Sequence, residues 1–392
     1  MRGPAAYRNY SRRARMFAWG LDVATLPVLP LLRRIAPRGP VPKTPRTILV
    51  IRLDHLGDVL MTTPALAALR GTCPEARIDV LAAPWGKAAL AGNPHVDRVL
   101  EATAPWYDPR RGELPAPEDL FGAAARLRRE GYDWGFDMRG DPRVALFYLL
   151  PAARRRFGFA ALGLEGLLTD ARLYERRRSP LDLALDLASA AGARGASRRP
   201  VFVVDGGARR RAGERLAAAG LPAGSRYAVI APGSNRAGAR WGGERFASVC
   251  DRLVEGGLQV VLTGRDADAG VTREVSARAR RPPIDTTGRL DLGELAALLE
   301  RAEVLVTNDS GASHLAAAVG CPIVAVFGPT DPSLTFPYAD GERFVSLSAP
   351  IDHPRPCFVP GCPSDHGFSR IAPDEVASAA LRISRQFSHT NG

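Results

Sequence analysis

Acidic, hydroxyl and imidazole side chains gather where apolar runs of this sequence end. The run TILVIRL (47–53) is followed at once by Asp54, His55, Gly57 and Asp58. A carboxylate held at such a place can take a proton from a hydroxyl and make it a nucleophile. The run VLVTN (304–308) is followed by Asp309, Ser310 and Gly311, with His314 three residues on. Free N–H groups and the dipole at a helix start there make an anion site. The same Asp and Ser could simply cap the helix, a stabilisation of about 1 kcal/mol. After YAVIAP (227–232) comes GSNRAGARWGGERF (233–246), where small residues precede Arg236 and Arg240. Pliable backbone plus arginine suits a diphosphate; a solvated loop is the plainer alternative. LTGRDAD (262–268) sets Asp266 and Asp268 one strand later, where an acid can hydrogen-bond ribose hydroxyls. The chain has only two lysines, Lys43 and Lys87, so any other phosphate-binding cation must be an arginine.

Metal-ligating types are concentrated in one stretch. HPRPCFVPGCPSDH (353–366) holds His353, Cys357, Cys362 and His366. Four N/S ligands within one loop could bind zinc. Their spacing is loose and proline-rich, and the expectation is a tight ordered loop with no metal. The other cysteines, Cys73, Cys250 and Cys321, lie in apolar segments. The odd total of five fits a reducing compartment with buried thiols.

These groups need elements to hold them. Strand-like runs at 47–53, 77–83, 96–102 and 133–140 alternate with helical stretches near 63–70, 84–92 and 117–131. Thr63 and Pro64 read as N-cap and first residue of the helix near 63–70. Residues 153–200 read as irregular and arginine-rich, with one helix at 179–192. A second alternation follows: strands at 227–234, 259–265, 304–311 and 322–331, helices at 243–257, 291–302 and 312–320. Such βα alternation implies an α/β fold with parallel sheets, and ligands bind beyond the carboxyl ends of such strands. The polar turns 54–58, 139–141, 232–240, 264–268, 308–311 and 328–331 are those ends.

Composition narrows the function. With 392 residues and 46% apolar content the chain can bury two cores. The net charge of +12 is uneven: residues 1–46 carry ten basic side chains against Asp22 alone, and the rest is nearly balanced. No run reaches the ~18–20 apolar residues of a membrane span. The arm is expected to lie on an anionic membrane surface through Phe17, Trp19, Leu21 and flanking arginines, or to be a basic tail. Nucleic acid is not an expected partner, because the body is balanced and the arm lacks interleaved stacking aromatics. No G-x-G-x-x-G or G-x-x-x-x-G-K-[ST] occurs, which argues against NAD and P-loop chemistry.

Five segments in order give the sequence a resemblance. ILVIRLDHLGDVLMTTPALAALR, APGSNRAGARWGGERFASVCDRL, LTGRDADAG, TGRLDLGELAALLERAEVLVTNDSGASHLAAAVGCPIVAVFGPTDP and PCFVPGCPSDHGFSRIAPDEV together resemble glycosyltransferase family 9, the ADP-heptose:lipopolysaccharide heptosyltransferases. The resemblance spans roughly residues 47–377. It implies a GT-B fold: an arm (1–46), an acceptor domain (47–205) and a nucleotide-sugar domain (206–375) facing across a cleft, and a C-terminal helix (376–392) that returns to the first domain. It implies metal-independent, inverting sugar transfer from a nucleotide sugar, by default ADP-heptose, to a lipopolysaccharide-core or other envelope glycan. No cofactor is expected, and the location would be cytoplasmic, peripheral on the membrane's inner face.

Residue by residue, Asp58 takes the place of the family's catalytic base, with Gly57, His55 and Arg139 on the acceptor side. Asp54 is expected to stabilise the turn that Gly57 permits. Asp309, Ser310, Gly311 and His314 match the donor-diphosphate motif. Ser234 and Asn235 match phosphate contacts, Asp268 the ribose acid, and Leu290 an apolar contact to adenine. Where the family's K-x-W motif has lysine, this chain has Ala239, followed by Arg240 and Trp241; Arg240 or Arg236 would supply the charge. Two other classes stay open: a nucleotide-sugar epimerase-like enzyme, and a non-catalytic nucleotide-sugar-binding relative.

Overall fold

A computed structural model describes residues 26–102, 117–160, 164–175, 177–195, 197–335, 341–357 and 362–387, with residues 23, 337 and 359. The arm residues Phe17, Trp19 and Leu21 lie outside them. The chain divides into two compact units, Met1–Arg198 and Arg199–Gly392.

The first unit is built on β1 (Thr47–Arg52), β2 (Arg77–Ala82), β3 (Arg98–Glu101), β4 (Tyr132–Asp137), β5 (Ala153–Ala160) and β6 (Asp170–Leu173). They form one parallel sheet in the order β3-β2-β1-β4-β5-β6. Continuous apolar runs suit this sheet because helices cover both faces. Ile48, Leu49, Val50 and Ile51 of β1 are all buried. Leu49 and Ile51 share a core with Leu127, Tyr148 and Leu149, and Phe136 stacks on Phe157 with ring centroids 4.5 Å apart.

Two local expectations fail in this unit. The helix after β1 is not capped at Thr63; it runs Leu56–Thr72 with Pro64 inside it. Proline cannot donate to the carbonyl four residues back, which normally breaks a helix. Here the Thr63 hydroxyl donates to the Leu60 carbonyl at 2.7 Å and satisfies the group that Pro64 leaves open. Consequently Gly57 and Asp58 belong to the first helical turn, with His55 as N-cap. Gly57 is therefore a helical residue rather than the pivot of a turn.

The stretch ARRRFGFA, expected to be irregular, is β5. Its arginines are tolerated because each is paired: Arg154 with Asp133 at 2.6 Å, Arg155 with Asp170 at 2.8 Å, and Arg156 with the Leu167 and Ala153 carbonyls at 2.6 and 2.9 Å. The described end of the N-terminal arm is docked rather than free. Its short helix Leu29–Arg33 buries Leu29 against Ala145, Leu150, Leu164 and Leu167, and Arg33 donates to the Gly166 carbonyl at 2.9 Å.

The second unit repeats the plan with β7 (Tyr227–Ala231), β8 (Gln259–Leu262), β9 (Ile284–Asp285), β10 (Val304–Asn308), β11 (Ile323–Phe327) and β12 (Phe344–Ser348). Its order is β12-β11-β10-β7-β8-β9, again parallel. Counted within the unit this is the same 3-2-1-4-5-6 arrangement as the first sheet, the doubly wound order of dinucleotide-binding folds. Trp241 and Phe246, edge to face at 5.1 Å, anchor the core.

The closing helix, Pro373–Phe387, packs within the second unit. Val376, Ala377, Ala380 and Ile383 bury its apolar face in the second unit's core, with Phe246, Val249 and Leu253 of helix Gly243–Glu255. Arg252 pairs with Asp374 at 2.8 Å beside that contact. Among the described residues, no helix is long and apolar enough to cross a membrane.

Candidate active site

Strand order tells where each unit should bind. In a doubly wound sheet the crevice opens where neighbouring strands send their connections to opposite faces. In the first unit that point lies between β1 and β4, in the second between β7 and β10. The four turns that follow these strands carry most of the residues singled out from the sequence.

At the first rim a buried guanidinium organises the acids. Arg52, the last residue of β1, is 3% exposed. Its Nε lies 2.9 Å from Asp54 Oδ1 and its Nη2 3.2 Å from Asp58 Oδ1. Its Nη1 donates to the Met138 carbonyl at the end of the neighbouring strand. Arg139 reaches back from that side and pairs with Asp54 Oδ2 at 2.7 Å. Trp85 Nε1 donates to the Asp54 carbonyl at 2.6 Å. Asp54 is thus enclosed between two guanidinium groups, although its Oδ1 and Arg52 Nε meet as an ion pair without hydrogen-bond geometry.

Asp58 differs. It stands in the first helical turn with a fifth of its side-chain surface open. Loss of water raises its pKa above the ordinary aspartate value, and the neighbouring Asp54 charge adds to this; Arg52, Arg139 and His55 act in the opposite direction. A carboxylate that holds its proton more tightly than usual is a better base toward a hydroxyl. His55 is exposed at the same rim, and its side chain does not cap the helix. Asp137, at the end of β4, is buried; burial pushes its carboxyl up to about 7, against the backbone N–H of Arg139, which donates to it at 3.0 Å.

At the second rim an amide side chain does the organising. Asn308, the last residue of β10, accepts from the Trp241 N–H at 3.0 Å and donates to the Pro232 carbonyl at 2.7 Å. It therefore fixes both ends of the loop that carries Ser234, Asn235, Arg236 and Arg240. Gly233 in that loop is required by space: a Cβ there would lie 2.5 Å from the Asp268 carboxyl carbon. Asp268 is buried, and both its oxygens are engaged. Oδ1 faces Arg240 at 3.3 Å; Oδ2 accepts the Arg265 N–H at 3.1 Å. The Arg240 guanidinium also donates twice to the Ser234 carbonyl, at 3.2 and 3.0 Å. Arg240 and Asp268 thus brace the loop.

Arg236 is exposed and donates to the Cys357 carbonyl at 3.4 Å. Its charge also acts on Asp309. Ala239, where the family motif has lysine, is buried. Ser234 is buried, Asn235 is exposed, and Leu290 is half-buried at the start of helix Leu292–Glu300.

Asp309, Ser310 and Gly311 lead into helix Gly311–Val319, and His314 lies in its first turn. The Ser310 side chain does not cap this helix; it meets the Thr307 hydroxyl at 3.0 Å. Burial raises Asp309, opposed by His314 and Arg236, and burial lowers His314, opposed by Asp309. Both shifts favour a neutral pair. His314 Nδ1 and the Thr330 hydroxyl oxygen are buried without a hydrogen-bond partner. Native proteins rarely leave such atoms open. Together with free N–H groups at the helix start, they describe a polar pocket suited to an anion.

The structure brings Asp58, Gly57, His55 and Arg139 together at one rim. It brings Ser234, Asn235, Arg236 and Arg240 together on the loop after β7, beside Asp309, Ser310, Gly311 and His314 after β10. Arg52 was not singled out from the sequence, and Asn308 and Thr330 were included only as members of the turns 308–311 and 328–331. Arg52 had a signal: an arginine inside an otherwise apolar strand needs a buried partner. For Asn308 and Thr330 the turn position was the signal, but their individual roles depend on contacts far along the chain.

Known proteins share this fold and sequence family. The model of glycosyltransferase family 9 (heptosyltransferase) matches residues 122–366. The chain is 28% identical to lipopolysaccharide heptosyltransferase 2 of Salmonella typhimurium over 311 residues, 76% of this chain and 88% of that protein. A glycosyl transferase family 9 structure from Veillonella parvula superposes with a TM-score of 0.74 at 25% identity, over 87% of this chain and 97% of the other. The ADP-heptose lipopolysaccharide heptosyltransferase II of Escherichia coli superposes with a TM-score of 0.71 at 23% identity, over 87% of this chain and 99% of the other. With two doubly wound sheets of the GT-B class and a family match over more than half its length, this chain belongs to glycosyltransferase family 9 and is a glycosyltransferase.

Proposed function

We propose that this enzyme transfers a heptose from a nucleotide-diphosphate heptose, ADP-heptose by default, to a hydroxyl of a lipopolysaccharide core, with inversion and without a catalytic metal. The observation that carries the reading is Asp58: a carboxylate of raised pKa, partly open, held from below by buried Arg52. Asp58 takes the proton of the acceptor hydroxyl as its oxygen attacks the anomeric carbon. The C–O bond to the diphosphate breaks on the opposite face, and the configuration inverts. A positioned base contributes about 10²–10⁴-fold to such a step.

The leaving diphosphate gathers negative charge. Arg236, the N–H groups at the start of helix Gly311–Val319, and the open His314 and Thr330 atoms are the groups that would take it up. Arg236 is assigned in preference to Arg240, whose guanidinium already braces Ser234 and Asp268. Leu290 would pack on the nucleobase. Asp268 would meet the ribose only by exchanging one of its present arginine contacts. The acceptor is a glycolipid, and the arm would hold the enzyme at the inner face of the membrane. Exposed Leu26, Val28, Leu31 and Ile35 beside Arg33 and Arg34 support that reading.

The test is transfer by purified protein from ADP-heptose to a core acceptor that lacks the heptose, read as ADP release and product mass. Product that requires both substrates supports the reading. A thermal-shift preference for UDP- or GDP-sugars overturns the donor. Turnover of the nucleotide sugar without acceptor points to an epimerase-like enzyme. Binding without transfer to any acceptor points to a non-catalytic relative, the reading that buried Ala239 favours.

A further inference from the structure

The loop after β12 brings four ligand-bearing side chains to one point. His353, Cys357, Cys362 and His366 each offer one atom, and all four atoms lie within 4.8 Å of one another. The spacing reads H-x₃-C-x₄-C-x₃-H. A tetrahedral zinc with two thiolates and two imidazoles sets its ligand atoms roughly 3.3–3.8 Å apart, from bond lengths of about 2.3 and 2.0–2.1 Å. The set is therefore close to closed around a centre before any ion enters.

Three further observations point to a ligand. His366 is 4% exposed, and neither ring nitrogen has a hydrogen-bond partner. A buried imidazole with two open nitrogens is costly unless something binds it. The residue is also held at φ 54°, a left-handed conformation that a side chain seldom adopts without restraint. His353 shows the complementary arrangement. Its Nδ1 meets the Asp352 carboxylate at 2.8 Å, and its Nε2 lies 3.9 Å from the Cys362 sulfur. A carboxylate behind one ring nitrogen is how a metal-bound histidine is commonly oriented.

We propose that His353, Cys357, Cys362 and His366 form a structural zinc site with two sulfur and two nitrogen ligands. Four protein ligands fill a tetrahedron and leave no position for substrate, so the ion staples the loop and takes no part in sugar transfer. What it would fix is visible in the contacts of the loop. The Cys357 N–H donates to the Pro329 carbonyl at 2.8 Å, and its carbonyl accepts from Arg236. Arg355 donates to the Gly328 carbonyl at 2.6 Å. The staple thus ties the turn after β11 to the arginine assigned to the donor phosphates.

The test is metal analysis of the full-length chain, purified anaerobically from medium that supplies both zinc and iron. The expected result is about one zinc per chain, falling below roughly a tenth in Cys362→Ser and His353→Ala. Both residues are only half-buried, so these variants should keep the wild-type circular dichroism. Should a variant fail to fold, cobalt exchange into wild type reads the same site through the intense visible absorption of tetrahedral thiolate ligation. The zinc assignment is overturned by stoichiometric iron, by a Cys357–Cys362 disulfide in the purified protein, by cobalt without thiolate bands, or by zinc that persists in both variants. None of these readouts depends on sugar transfer, so the site and the proposed activity fail separately.

Discussion

The two rims are built on one strand order but treat polar groups in opposite ways. At the first, Arg139 and buried Arg52 pair with Asp54 and leave Asp58 as the partly open carboxylate. At the second, ionic contacts brace the loop from behind, while His314 Nδ1 and the Thr330 hydroxyl stay open. The first gathers two carboxylates around one buried cation. The second leaves buried polar atoms open beside a helix start. Closing a network costs stability when one member is lost; leaving a pocket open makes the ligand part of the stability.

The largest effect should come from Asp58→Ala. It is expected to lower kcat by about 10²–10⁴-fold while nucleotide affinity stays near wild type, measured by ADP release and calorimetry. A mutant at wild-type rate removes Asp58 as the base. Because its pKa is raised, the acid limb of the wild-type pH–rate profile should lie above the ordinary aspartate value, with activity lost as pH falls through it. Next, Arg52→Met leaves Asp54 and Asp58 facing each other without their shared cation. Breaking a buried pair costs about 3–5 kcal/mol, which chemical denaturation should read. A change under 1 kcal/mol would mean the network is not a closed unit.

The contrast predicts a smaller, more selective effect across the molecule. Arg236→Ala should raise the donor KM about tenfold or more with little change in melting temperature. Arg240→Ala should do the reverse, loosening the Asp268 brace. An exchange of these two outcomes would reassign the phosphate cation. The Asp137 carboxyl, pushed up to about 7, should make stability fall as pH rises through that value, because the folded chain holds the proton more tightly than the unfolded one. Asp137→Asn should flatten this decline in a series of melting curves. Smallest of all, Thr63→Val should cost about 1 kcal/mol by exposing the Leu60 carbonyl that Pro64 cannot serve.

Most of this frame was legible in the sequence, because apolar strand runs and the polar turns after them are local signals. The βα alternation and the rim residues Asp58, Asp309 and Ser310 needed no knowledge of distant contacts. Where the reading failed, the deciding partner was remote or unusual. β5 looks like loop because three consecutive arginines discourage a strand; Asp133 and Asp170, far away in sequence, neutralise two of them. The helix before Pro64 looked forbidden by a rule that Thr63 evades with one hydroxyl. Likewise, the loop 353–366 could be seen to hold four ligands, but not that they meet.

That closing helix carries a consequence for how such a chain can be divided. Its apolar side completes the core of the second unit, where Ile383 and Val376 sit with Leu253 and Phe246. The described residues of that core all lie after Arg198, in one uninterrupted stretch of gene. A junction near residue 198 is then a natural recombination point, at which one such unit could be exchanged while the described core of the second stays within a single segment.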